Sequence, residues 1–263
     1  MSSPMSSKRS RLRTLLSNMG SALLAFSGGV DSSLLLLVGR DVLGDRMKAV
    51  TLHSPLHPRW EAEEAVAVAR SAGVHLEILD FEGWNAPGIQ ANGPDRCYHC
   101  KRALMTFLLE RARERGLAWV MEGSHADDDP NDRPGMRALE ELGIRSPLRE
   151  AGLHKEEIRL WAKELGLPHW DRPPRACLAT RIPTGERITL ERLGRIERAE
   201  EVLRKEGFRQ FRARDRGRSV LIQVDPDETG RLLREPLRRR ITEAMTKAGF
   251  QEVWLDLKGY GAA

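Results

Sequence analysis

Aromatic residues make up only 5% of this 263-residue chain, and no apolar stretch approaches the roughly 20 residues that a membrane-spanning helix needs. The scarcity of aromatics argues against a nucleic-acid module built on stacking platforms, for which Phe208 and Phe211 are the clustered pair on offer. The lack of long apolar runs argues against a membrane partner. No secretory h-region is recognisable either, so a cytoplasmic protein is expected.

Cysteine is scarce as well. An odd total of three cannot form a disulfide framework, least of all in a reducing compartment, which leaves a chemical reason for their presence. Internal repeats and low-complexity tracts are missing apart from Met1 to Arg13. That Ser-rich, basic stretch has no apolar centre and reads as a ragged terminus rather than a targeting signal.

What is present is a 40% apolar content, enough to bury a good core, on a length that suits one large domain and a smaller companion. The net charge of +5 comes largely from arginine in the second half, as in Arg209 to Arg218 and Arg231 to Arg240. Such a balance suits a phosphorylated partner, or merely solvated helix faces.

Periodicity predicts a helix over 9–19 and a strand over 21–26, then a helix over 31–44. Strands at 47–52, 74–79 and 118–122 alternate with helices at 59–72 and 98–115, a βαβαβ rhythm that predicts an α/β fold on a parallel sheet. A long Gly-, Pro- and Asn-rich loop fills 83–95, beside the presumed active edge. After a helix over 153–165, the Pro-rich stretch 168–183 suggests a junction, giving domains 1–182 and 183–263. The second is expected to be a small α/β domain that opens with a helix at Thr189.

The string Ser27-Gly28-Gly29-Val30-Asp31-Ser32 lies between the first strand and the second helix. Backbone N–H groups at a helix start, the helix dipole, two glycines and several hydroxyls together favour phosphate. Asp31 would repel phosphate unless a divalent cation such as Mg²⁺ lies between them; it can also cap the helix. The Walker A lysine and its spacing are absent. The string instead resembles the loop of the PP-loop ATP pyrophosphatases, which implies cleavage of ATP to AMP and pyrophosphate with AMP placed on the substrate.

Cys97-Tyr98-His99-Cys100 begins a predicted helix and is followed by Lys101 and Arg102, a setting that favours thiolates. The pair alone reads as half a zinc site, a redox couple or part of an iron–sulfur site, and inert thiols are the bland alternative. Cys177, far off in sequence, makes three cysteines available to a cluster with one open iron.

Several strings occur in one order: the nucleotide loop, Arg96 to Lys101, Glu122 to Asp128, Asp132 to Gly135, Ser146 to Leu148 and Ala176 to Arg181. Over residues 11–256 the chain is thereby similar to the LarE family, ATP-dependent sulfur transferases that make the nickel-pincer nucleotide cofactor. That resemblance implies adenylation of a carboxylate on a pyridinium dicarboxylate mononucleotide, then sulfur delivery to give a thiocarboxylate. Some members sacrifice the sulfur of the cysteine matching Cys177. Others have the two further cysteines, here Cys97 and Cys100, and a [4Fe-4S] cluster held by all three, with sulfide on the open iron. The presence of all three favours the cluster version.

The same resemblance implies phosphate contacts from Arg212 and Arg214, which share a face of a predicted strand, and from Arg181. It places Gly123, Asp127 and Arg133 in the nucleotide site, and Glu200 and Asp225 near the active cysteine. Glu197 and Glu201 flank Glu200 closely enough for a shift to exchange them. A symmetric homo-oligomer is also implied. Two rivals remain: a tRNA-thiolating PP-loop enzyme, which the low aromatic content disfavours, and a non-catalytic iron–sulfur or zinc protein that senses ATP.

Overall fold

The computed structural model describes residues 4–129 and 134–260. The chain divides into two compact units. The first comprises the residues up to Ser54, Arg59–Ala86 and Asp95–Arg175; the second comprises Pro55–Pro58, Pro87–Pro94 and the residues from Ala176 on. The junction anticipated at 182 falls inside the second unit. Leu178 donates its N–H to the Leu56 carbonyl (2.8 Å), and Ile188 to that of Gln90 (2.9 Å), so two short earlier segments fold with the later chain.

The first unit holds a parallel sheet of β1 (Ala22–Ala25), β2 (Met47–His53), β3 (Leu76–Asp80) and β4 (Trp119–Met121), in the order β3-β2-β1-β4. Its main helices are α1 (Pro4–Met19), α2 (Val30–Leu43), α3 (Arg59–Ser71), α4 (Arg96–Glu114), α5 (Gly135–Glu141) and α6 (Lys155–Glu164). The loop predicted over 83–95 instead contains two short turns of helix, Glu82–Asn85 and Pro87–Gln90.

A parallel strand covered on both faces has no polar side, and β1 reads Ala-Leu-Leu-Ala accordingly. One face packs Leu24 against Leu34, Leu35 and Leu36 of α2, with α1, α3 and α6 alongside. The other packs Leu23, Val50 and Val120 against Met105, Leu108 and Ala112 of α4. α2 is apolar over most of its circumference because it lies inside this layer.

The second unit contains α7 (Leu190–Lys205), the antiparallel pair β5 (Phe211–Arg216) and β6 (Ser219–Val224), α8 (Leu237–Lys247) and β7 (Glu252–Leu255), which runs parallel to β6. Thr189 caps α7 by accepting the Arg192 N–H at 3.2 Å. Ala199, Leu203, Phe211, Val220, Ile222, Ile241 and Met245 form the core between helices and sheet. No described helix is long and apolar enough to cross a membrane.

His169 is buried in the first unit with Nε2 3.0 Å from Ser33 Oγ on α2. Burial, helped by the charges of Arg172 and Arg175, holds this imidazole below its ordinary value of 6.5, with Glu64 opposing. The unfolded chain therefore binds a proton that the folded chain refuses. The stability His169 contributes is present above pH 6.5 and is lost as pH falls toward the lower folded value. In thermal or urea unfolding below that pH, the wild type is expected to lose up to about 1.4 kcal/mol per pH unit from this group. His169→Gln, which keeps a hydrogen-bonding side chain without titrating, is expected to flatten the slope; equal slopes would contradict the assignment.

Candidate active site

In an open sheet of order β3-β2-β1-β4, the chain leaves β1 toward one side and later returns on the other. The crevice beyond the carboxyl ends of β1 and β4 is thus the topological switch point, where α/β sheets bind ligands. The Ser-Gly-Gly loop follows β1 and the Glu122-Gly123-Ser124 string follows β4. The sequence motifs thus meet at the place the topology selects.

The exit from β1 is pinned by the Phe26 N–H on the Val50 carbonyl (2.8 Å) and by Thr51 Oγ1 donating to the Phe26 carbonyl (2.7 Å). Gly28 then takes φ +74°, where a β-carbon would also lie 3.1 Å from that of Ala65. Gly29 sits extended at the N-cap of α2 and places no side chain over it. The orphan N–H groups of the first turn are therefore not covered by a capping side chain. Ser32 Oγ donates to the Gly29 carbonyl (3.1 Å) and lies 3.1 Å from Ser27 Oγ, which tightens the loop; Val30 is buried beneath it.

Gly123 presses on the same turn. A β-carbon there would come within 3.0 Å of Ser32 N and 3.3 Å of Ser32 Cα, both backbone atoms that cannot give way. Glu122, read from sequence only as part of a motif, is buried. Its carboxylate accepts the Ser124 N–H (2.9 Å), Ser124 Oγ (2.9 Å) and Ser146 Oγ (2.7 Å), with Lys101 Nζ 4.0 Å away.

Asp31 occupies the first turn of α2, and both its oxygens accept from Lys155 Nζ, at 2.6 and 2.7 Å. Asp127 is half exposed and holds the start of α6: one oxygen meets His154 Nδ1 (2.6 Å), and the other accepts the Lys155 N–H (2.6 Å). Those hydrogen bonds, His154 first, hold the Asp127 carboxyl below its usual range. Arg133 lies outside the described residues.

Cys97 and Cys100 stand one turn apart at the start of α4, Cys97 exposed and within 3.7 Å of Arg96 Nη2. Trp84 is packed into the core, and His99 lies edge-on to Tyr98. Cys177 belongs to the second unit. None of the three is in a disulfide, and among the described residues no group of three or more His, Cys, Asp or Glu side chains is arranged to hold a metal.

In the second unit, Cys177 caps the short turn Leu178–Arg181. Its carbonyl accepts the Thr180 N–H (3.0 Å), Thr180 Oγ1 (2.8 Å) and Arg181 Nη1 (3.0 Å). Arg181 is buried against Glu200, with Nε–Oε1 2.7 Å and Nη2–Oε2 3.0 Å, and Glu200 also accepts the Ala213 N–H (3.1 Å). Glu200 is thus a holder of Arg181 rather than an open acid.

Arg212 stacks on Tyr260 (4.4 Å) and donates to its hydroxyl (2.8 Å). Arg214 donates to Gln223 Oε1 (2.5 Å). Burial, and then neighbouring guanidiniums including Arg181, push both arginines below their ordinary range. Three convergent guanidiniums with one buried carboxylate leave an excess of positive charge suited to an anion. Asp225 caps the following turn by accepting the Asp227 N–H (3.1 Å), and Glu201 pairs with Arg204 and Lys205 on the outside of α7.

Lys155, His169 and Tyr260 were not singled out from sequence. Lys155 carried a signal nonetheless, since a cation in the first turn of a helix opposes the dipole and needs a reason.

No protein-family model matches the chain. It is 38% identical over 97% of its length to an uncharacterized protein of Synechocystis, covering 95% of that relative. It is 31% identical over 97% of its length to the pyridinium-3,5-bisthiocarboxylic acid mononucleotide synthase of Lactiplantibacillus plantarum, covering 92% of it. A glutamine-hydrolyzing GMP synthase of Aeropyrum pernix is 29% identical over 70% of this chain, which covers 39% of that relative.

The adjacent glutamates Glu200 and Glu201 of α7 are separable by stability. Glu200→Ala strands a buried guanidinium and is expected to cost about 3–5 kcal/mol in denaturant unfolding. Glu201→Ala is expected to change stability by no more than about 0.5 kcal/mol.

Proposed function

Because the chain belongs to the LarE family and its first unit has the PP-loop fold, we propose that this enzyme uses ATP to adenylate a carboxylate of a pyridinium dicarboxylate mononucleotide and then replaces AMP with sulfur. The observation that carries the reading is the bare first turn of α2 at the switch point, with Gly123 held against it.

Ser27, Gly28, Gly29, Val30 and Ser32 shape a loop for the pyrophosphate end of ATP. Asp31 is the hard oxygen donor that would hold Mg²⁺, which when bound would offset the negative charge of the phosphates. A carboxylate oxygen is a poor leaving group. Its attack on the α-phosphorus expels pyrophosphate, and a sulfur nucleophile then displaces AMP from the acyl adenylate to leave a thiocarboxylate. Arg212 and Arg214 would bind the phosphate of the mononucleotide, and Arg181, locked by Glu200, fixes the turn that carries Cys177. Asp225, at the head of the next turn, is the acid proposed near that cysteine.

For the sulfur, Cys97 and Cys100 have the spacing and basic flanks of a two-thiolate half-site, and Cys177 of the second unit would complete a three-cysteine set. A [4Fe-4S] cluster held there would supply an open iron for sulfide. The alternative donor is the Cys177 thiol itself, whose thiolate would displace AMP to form a thioester; loss of the Cα proton with cleavage of the Cβ–Sγ bond would then release the thiocarboxylate and leave dehydroalanine in the chain. The proposed setting is cytoplasmic, in a homo-oligomer.

Pyrophosphate release is expected to rise at least about tenfold with the pyridinium dicarboxylate mononucleotide and not with tRNA; the reverse would favour a tRNA-thiolating enzyme. Anaerobic protein is expected to contain about four irons per chain, lost in Cys97→Ala. Iron-free protein that sheds one H₂S, about 34 Da, on turnover would instead assign the sulfur to Cys177.

A further inference from the structure

Asp31 is the acid of the nucleotide loop, yet its carboxylate is engaged on both oxygens by Lys155. The backbone of that lysine is clamped. Asp127 accepts the Lys155 N–H and bonds His154, while Glu157 accepts the His154 N–H at 2.8 Å to close a capping box. Glu157 is itself held by Lys8 Nζ at 2.7 Å. The clamp fixes Lys155 Cα, but the four-carbon stem leaves the amine free to swing.

Lysine is out of place here on helix electrostatics alone, since the first turn favours anions. Its position makes sense in relation to the loop. Beside a polyphosphate, a bare Asp31 would be repelled, whereas the Asp31–Lys155 pair is neutral as it stands. A divalent cation on the carboxylate would release the ammonium, whose charge and hydrogen-bond donors suit phosphate oxygens.

We infer that Lys155 is a phosphate-binding residue held on Asp31 until Mg²⁺ takes that carboxylate, and that Asp127 is the positioning residue that presents it. The inference rests on the nucleotide reading above and goes beyond it by assigning a mobile cation to the loop. Asp127 then acts on nucleotide through the start of α6 rather than by contact.

The test is calorimetric titration with α,β-methylene-ATP, whose α–β bridge cannot be cleaved, with and without Mg²⁺. With Mg²⁺, Lys155→Met is expected to weaken binding by about tenfold or more, the worth of one charge-assisted hydrogen bond, and Lys155→Arg to recover most of it. Lys155→Gln serves the same purpose if the methionine variant does not fold. Asp127→Asn is expected to weaken binding in the wild-type background and to add nothing to Lys155→Met; full additivity would overturn the positioning role. Unchanged or tighter Mg²⁺-dependent binding in Lys155→Met would show that the lysine only competes for Asp31, and would overturn the inference. A wild type that binds the analogue in neither condition would overturn the nucleotide reading itself, which separates the two failures.

Discussion

The first unit depends on the seating of one helix start. The first turn of α2 must emerge at the carboxyl end of β1, bare of capping side chains, with the β4 loop close against it. Much else in the unit serves that placement. Phe26 and Thr51 pin the strand exit, Gly28 makes a turn that other residues resist, and Gly123 omits the β-carbon that would push the turn away. The leucine-rich body of α2 anchors the turn from below, so the apolar core acts directly on the geometry of the loop.

The second unit solves a different problem, that of keeping positive charge concentrated on a small sheet. Arg181 is buried with Glu200, and Arg212 is stacked on Tyr260. Each guanidinium is oriented by a partner that leaves the group as a whole in excess over nearby carboxylates. The same buried pair that stabilises the sheet also ties down the carbonyl of Cys177, so fold stability and the posture of the thiol share one interaction. The two units thus concentrate polar groups in unlike ways: uncapped backbone N–H groups and a carboxylate–lysine pair in one, fixed guanidiniums in the other.

Local chemistry was legible from the chain. The SGGVDS string, the alternation of apolar runs with amphipathic helices, the Cys-x-x-Cys at a helix start and the paired Arg212 and Arg214 all depend on neighbours a few residues apart, and all are found on the elements expected. The partners were not legible. Lys155 reaches Asp31 across 124 residues, and His169 reaches Ser33 across 136. Glu200 could not be told from Glu197 and Glu201 by spacing alone, because burial rather than sequence distinguishes them. Nor was it legible that the short segments carrying Leu56 and Gln90 hydrogen-bond to the later chain.

By itself, the sequence determined which residues can curve tightly, expose backbone N–H groups or carry charge, since those properties belong to single residues and their immediate spacing. Tertiary structure alone decided which charges are neutralised and which remain available. Whether a carboxylate is an acid, a clamp or a metal donor depends on what packs within a few ångströms of it, and packing joins residues that the chain keeps far apart.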